Sequence, residues 1–210
     1  MKKEKLIEYN QKNILSAASG LFQVKGLSKT TVDEIARAAD CSKATIYVYF
    51  KNKDDIYYHI VLEYMSVLRD GIKDCFCKAD DYEKAYFSLC DTLVQFEEKY
   101  PMYFECILGN ISVDPKSMEE LPVLKSIYDT GEEINRIVCD FLNRGKELGF
   151  IKTDIDSLHA TFVLWSSICG LISLHTSKQA YLKDALGLER EEFFQKGFSM
   201  ILRMVKSEDH

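Results

Sequence analysis

The stretch of residues 26–56, GLSKTTVDEIARAADCSKATIYVYFKNKDDI, decides the fold. Thr31, Val32, Asp33 and Glu34 have the form of a capping box: the Thr31 hydroxyl can accept from the Glu34 amide while the Glu34 carboxylate reaches back. This predicts a short helix over about 32–39. Ser42 is placed to cap a second over about 43–50. Ala39, Asp40 and Cys41 leave room only for a tight turn between them, and two short helices so joined form a helix-turn-helix. Asn52 is placed to cap a further helix, with Asp54 and Asp55 in its first turn, where the helix dipole favours negative charge.

The second short helix has an unusual face. Ile46 and Phe50, four residues apart, can dock on the first helix. Thr45, Tyr47 and Tyr49 then point elsewhere, with Lys43 and Ala44 at the N-terminal end. Exposed tyrosines on so short a helix are poor core design. They suit hydroxyl donation to phosphates and apolar contact with thymine methyls. In helix-turn-helix docking, the first residues of the second helix reach base edges in the major groove.

Working outward, Ile14, Ala17, Ala18, Leu21 and Phe22 form an i, i+3, i+4, i+7, i+8 stripe, a helix ahead of the pair. That stripe, then Thr30 and Thr31, Ile35 and Ala36, Ala39, Ser42 and Lys43, Thr45, Ile46 and Tyr47, Tyr49 and Phe50, and Lys53, together resemble the DNA-binding domain of the TetR/AcrR family of transcriptional regulators. The match in type and spacing runs over about 45 residues, roughly a quarter of the chain; Cys41 stands where a small apolar residue is usual. The resemblance implies that Lys43 and Ala44 face bases, and that Thr31, Ser42, Thr45, Tyr47, Tyr49 and Lys53 hold phosphates or groove walls. It also implies double-stranded operator DNA as partner, a homodimer, and a divergent helical C-terminal domain for a small-molecule effector.

The rest of the chain fits that frame. Sustained period-2 alternation is absent and helical periodicity common, so the fold is expected to be all-α with about nine helices: a three-helix head on a larger helical body. All three prolines, Pro101, Pro115 and Pro122, lie in one short stretch, as expected if helical structure is broken near the middle. Helices are predicted from about 53 to 77, from 81 to 100, from 121 to 148, from a Thr153 or Asp154 cap to about 176, and from about 188 onward. The stretch 162–174 is apolar nearly all round, with Ser166, Ser167 and Gly170 as its small residues. It and the last helix are the expected dimer elements, through Ser166, Gly170, Phe194, Phe198 and Ile201. An effector seat is expected among Tyr64, Phe96, Tyr100, Tyr103, Phe104 and Cys106, with Tyr128, His159, Phe162 and Trp165; the apolar bias points to a lipophilic molecule.

Charge sharpens the division. Residues 1–55 carry ten Lys and Arg against seven Asp and Glu, so +3 there is offset by −9 in residues 56–210, giving −6 in all. The expected domains are therefore 1–55 for DNA and 56–210 for effector binding and dimerisation. The first residues, MKKEKLIEYNQKNIL, lack the apolar run of a secretory signal, and the 13-residue apolar stretch is shorter than the ~20 a membrane span needs. A soluble, cytoplasmic protein without a membrane partner is expected. Seven cysteines in irregular spacing, with no CxxC, predict neither a disulfide framework nor a metal site. No phosphate loop, nucleophile elbow or zinc-protease motif occurs, so no enzyme and no cofactor are expected. Two rivals stay open: the same DNA output driven by thiol oxidation, and a helical adaptor or enzyme that binds no DNA.

Overall fold

The computed structural model describes residues 2–78, 81–107 and 115–208, with the backbone alone at 2, 3, 78, 106, 107 and 115. Cys106, expected at the effector seat, thus lies outside the described side chains. The described residues form ten α-helices: α1 (Lys2–Lys25), α2 (Val32–Ala38), α3 (Lys43–Tyr49), α4 (Lys53–Lys78), α5 (Tyr82–Lys99), α6 (Pro101–Ile107), α7 (Pro115–Glu120), α8 (Pro122–Glu147), α9 (Ser157–Leu186) and α10 (Arg190–Val205). The all-α fold with its N-terminal helix-turn-helix is as expected, with one helix more. The prolines account for the difference. Each is the first residue of a helix, where the missing amide hydrogen removes no helical bond. They divide the middle of the chain by starting helices, which yields the short α6 and α7.

Packing separates two compact units, Met1–Ser66 with Ile111–Asp129, and Val67–Asn110 with Thr130–His210. This partition falls within α4 and within α8, and differs from the compositional boundary at residue 55.

In the first unit, α1 stops at Gly26, whose φ of +80° suits glycine and whose amide donates to the Phe22 carbonyl at 2.8 Å. The core joins Ile14, Ala18 and Phe22 of α1, Ile35 and Ala36 of α2, Ala39 of the following turn, Ile46 of α3, and Phe50, each at most 5% exposed. Burying a side chain of the larger kinds contributes about 1.5–3 kcal/mol. Ile56 and Ile60 extend this core along α4.

In the second unit, α9 packs on α5 and α10. Leu89, Cys90 and Leu93 of α5 are buried, as are Leu164, Ile168 and Ile172 of α9 and Phe194, Phe198, Ile201 and Leu202 of α10. The buried Tyr86 hydroxyl donates to the Phe198 carbonyl at 3.0 Å. Phe194, Phe198 and Ile201, expected at a dimer interface, are therefore core of their own unit. The exposed apolar positions of these helices include Leu158, Phe162, Val163, Leu174, Tyr181 and Leu186 of α9 and Met200 and Met204 of α10.

α9 departs from expectation in two ways. Its cap is Asp156, whose carboxylate accepts from the His159 amide at 2.7 Å, so the helix starts after both Thr153 and Asp154. It also continues to Leu186, across a kink at Lys178, because no proline or glycine intervenes before Gly187 takes the left-handed cap at φ +64°. At 30 residues it is, among the described residues, the one helix long and apolar enough to cross a membrane, which the 13-residue run did not suggest. Its buried face packs as a core helix does.

Gly145 of α8 is held close by its neighbours. A Cβ there would run into the Tyr82 phenol and the Ile151 side chain, while its carbonyl accepts from the amides of Phe150 and Ile151 at 2.8 and 3.1 Å. Gly145→Ala should lower unfolding stability by about 1–3 kcal/mol, as overpacking does; urea denaturation measures this, and an unchanged midpoint would contradict so close an approach.

Candidate nucleic-acid interface

Three local devices build the interface. Thr31 caps α2 with the full box: its hydroxyl accepts from the Glu34 amide at 3.3 Å, and Glu34 Oε2 accepts from the Thr31 amide at 2.9 Å and from its hydroxyl at 2.8 Å. Lys25 also pairs with Glu34. The Lys25 ammonium, then the Thr31 amide and hydroxyl, hold the Glu34 carboxyl down at about 2. The turn after α2 is made by Asp40 at φ +49°, a left-handed position that aspartate tolerates better than most residues. Ser42 then caps α3, accepting from the Thr45 amide at 3.0 Å.

α3 spans only seven residues. With Ile46 and Phe50 buried, Ala44 and Val48 fall on the opposite side, Tyr47 flanks them and Lys43 stands in the first turn, and all four are exposed. Tyr47 is 50% exposed and Val48 75%. Such a strip of cation, small residue, phenol and branched aliphatic can meet phosphates, base edges and thymine methyls, and a major groove admits an α-helix. Sequence reasoning missed Val48. The signal was available, since Val48 lies one residue past Tyr47 and so diagonally across from Ile46.

The other expected DNA residues sit as follows. Ser42 is exposed and its hydroxyl lies 2.8 Å from that of Thr45. Lys43 pairs with Asp33 at 2.9 Å, which raises its pKa, yet both side chains are about half exposed or more. Exposed pairs of this kind contribute little, so the ammonium can exchange its partner for a phosphate. Tyr49 is half-buried and its hydroxyl accepts from Asn10 Nδ2 at 3.0 Å. Lys53 donates to the carbonyls of Leu27 and Thr30 at 2.7 and 2.9 Å, so it pins the loop after α1.

The expected effector residues are scattered. Tyr64 and Tyr128 belong to the first unit and the remainder to the second. Phe96, Tyr103 and Phe104 are buried, with Tyr100 half-buried edge-on to Phe96 at 5.2 Å. Trp165 is half-buried, whereas Tyr128, His159 and Phe162 are exposed. A groove of about 520 Å³ in the second unit has a different lining. Its floor is the aromatic ladder Phe76, Phe141 and Tyr82, stacked within 5° of parallel at 4.1 Å centroid spacings, and Lys73 and Arg144 stand among its polar lining with Asp81 and Asp140.

A capped helix pair with a tight turn and an outward strip on its second helix defines a helix-turn-helix DNA-binding protein. Residues 14–60 match the family described as bacterial regulatory proteins of the tetR family, so this segment is a TetR-type DNA-binding domain. The HTH-type transcriptional regulator HbdR of Aromatoleum sp. (strain CIB) is 48% identical over 52 residues, covering 25% of this chain and 23% of HbdR. The fatty acid metabolism regulator protein of Bacillus subtilis (strain 168) is 27% identical over 175 residues, covering 79% of this chain and 82% of that protein. Among solved structures, the fatty acid degradation regulator FadR from Bacillus halodurans has the same fold, with a TM-score of 0.69 at 18% identity over 92% and 94% of the two chains.

Two outcomes test the interface. Tyr47→Ala should weaken duplex binding at least severalfold with an unchanged unfolding midpoint; normal binding would misplace α3. Glu34→Gln should be less stable than the parent at neutral pH. Because folding depresses the Glu34 pKa, its contribution is complete above the unfolded carboxyl value and is lost as pH falls from about 4.5 toward 2. The stability gap between the two proteins should therefore close over that window, and a gap constant with pH would place the contribution elsewhere.

Proposed function

We propose that the chain acts as a homodimeric repressor, binding a pseudo-palindromic operator through two copies of α3 and released by a small lipophilic effector. The observation that carries this reading is the outward strip of Lys43, Ala44, Tyr47 and Val48 within a head that matches the family. One such strip spans few base pairs, and a twofold pair reads half-sites about one helical turn apart. The division of labour follows the charge: residues 1–55 for DNA, 56–210 for effector and dimerisation, acting in the cytoplasm where the operator is.

The dimer is supported by apolar residues that α9 and α10 leave exposed, among them Leu158, Phe162, Val163 and Leu174 with Met200 and Met204. Ser166 and Gly170 are exposed on α9 as well, and small residues there allow close approach of a second helix. For the effector, the aromatic-floored groove of the second unit is a better seat than the scattered sequence set. Its volume is of ligand size, and Lys73 and Arg144 suit an acidic head group. The name of the Bacillus subtilis relative, a fatty acid metabolism regulator, is in keeping with a lipophilic acid.

The cysteines favour an organic effector over thiol sensing. Cys90 and Cys169 are fully buried; burial pushes the Cys169 thiol up to about 12 and the Cys90 thiol higher still. Cys75 is 7% exposed and donates to the Gly71 carbonyl at 3.1 Å. Thiolates react, and burial holds the Cys90 and Cys169 thiols protonated. Mild oxidation of the folded protein should leave duplex affinity unchanged, and release of the duplex on oxidation would favour thiol sensing.

Salt titration tests the core of the reading. With a selected duplex, log affinity should fall linearly with log salt, with a slope of about 0.9 for each phosphate neutralised. The complex should contain two 24.2 kDa chains per duplex. A flat salt response, or equal affinity for random duplex, overturns the proposal.

A further inference from the structure

Helix α1 begins at Lys2, well ahead of the matched segment 14–60. Its first turns bury little: residues 4–9 are exposed, with Leu6 at 59% and Tyr9 at 67%. Core packing therefore does not account for this extension. Two asparagines on it nonetheless reach the helix-turn-helix. Asn13 Nδ2 donates to the Ala39 carbonyl at 2.7 Å, where α2 gives way to the turn. Asn10 Nδ2 donates to the Tyr49 hydroxyl at 3.0 Å, across 39 residues of sequence.

We propose that Asn10 is a positioning residue for DNA binding, which holds the Tyr49 hydroxyl so that its proton is directed to a backbone phosphate; this rests on the operator-binding reading above. A phenol has one proton to donate and lone pairs to accept. Accepting from Asn10 satisfies the oxygen from the protein side and leaves the proton for an outside acceptor, a donor strengthened by the bond it receives. The Tyr49 ring is half-buried and so fixed, whereas Tyr47 projects freely. Tyr49 also lies off the strip formed by Lys43, Ala44, Tyr47 and Val48, at the flank of α3. A flanking hydroxyl meets the sugar-phosphate wall of the groove, where contacts set register and carry no base information. Asn10 and Asn13 together make the upstream turns of α1 a brace for the reading head.

A double-mutant cycle tests this on duplexes recovered by selection from random sequence with the wild-type protein. Asn10→Ala and Tyr49→Phe should each weaken binding by about 3–10-fold, the range of one hydrogen bond. The double variant should lose no more than the larger single loss, because Asn10 acts through the hydroxyl that Tyr49→Phe removes. The losses should be the same on the selected duplex and on unrelated duplex, as a phosphate contact requires. Asn10→Asp should lose more than Asn10→Ala, since a carboxylate takes the phenol proton and repels phosphate. Additive losses would mean that Asn10 merely stabilises α1, and would overturn the proposal even if Asn10→Ala lowered the unfolding midpoint. Wild-type affinity in Asn10→Ala, or a loss confined to the selected duplex, would overturn it as well. Failure of the wild type to select any duplex would instead remove the operator reading on which it rests.

Discussion

The burial of Ile46 and Phe50 is the constraint from which the rest of the head follows. A seven-residue helix has no stability of its own, because nucleation costs more than so few bonds return. α3 exists because Ser42 closes its first turn and because those two side chains are buried, 1% and 2% exposed, with α3 against α2 and the Phe50 ring edge-on to His59 of α4 at 5.2 Å. Once they point inward, helical geometry turns Ala44 and Val48 outward, with Tyr47 beside them and Lys43 exposed in the first turn. The reading face is thus the remainder of a packing solution, and any change that rotates α3 to improve its core would turn the strip away from the groove.

Local chemistry was legible in the sequence, and long-range packing was not. The Thr31 box, the Ser42 cap and the i, i+4 pair place α2 and α3 within a residue or so, since each signal involves groups no more than four residues apart. Proline was misjudged in effect: the residue that breaks a helix interior is also a good first residue, and the two roles look alike in one sequence. The cap of α9 was placed early because Thr153, Asp154 and Asp156 are all capping types, and only packing of the helix selects among them. The burial of the expected dimer residues of α10 has a related reason. Phe194, Phe198 and Ile201 are the most apolar positions of their helix, and a helix turns such a face to its own core before it offers one to a partner. The groove was invisible because its ladder joins Phe76, Tyr82 and Phe141 from three helices.

Charge carries a similar lesson. A net −6 argues against a polyanionic partner only if the charge is spread evenly, and here +3 on the first 55 residues is masked by −9 on the others. At physiological ionic strength, fields fade over about 8 Å, so a phosphate senses the cations beside it and not the average of the chain. The acidic remainder then restricts where DNA can lie, which narrows binding to the head and opposes non-specific coating.

Lys53 brings these threads to one element. Its ammonium holds the Leu27 and Thr30 carbonyls, and those two bonds leave one proton uncommitted, so a role in bracing the head and a role at a phosphate are compatible in one side chain. Lys53 is also the first residue of α4, and the same helix supplies Lys73, Phe76 and Cys77 to the groove. Under the proposed reading, an effector need not touch the head to alter it. It has only to bind more tightly to one disposition of α4 than to another, and a difference of about 1–3 kcal/mol already changes operator affinity by 5–150-fold.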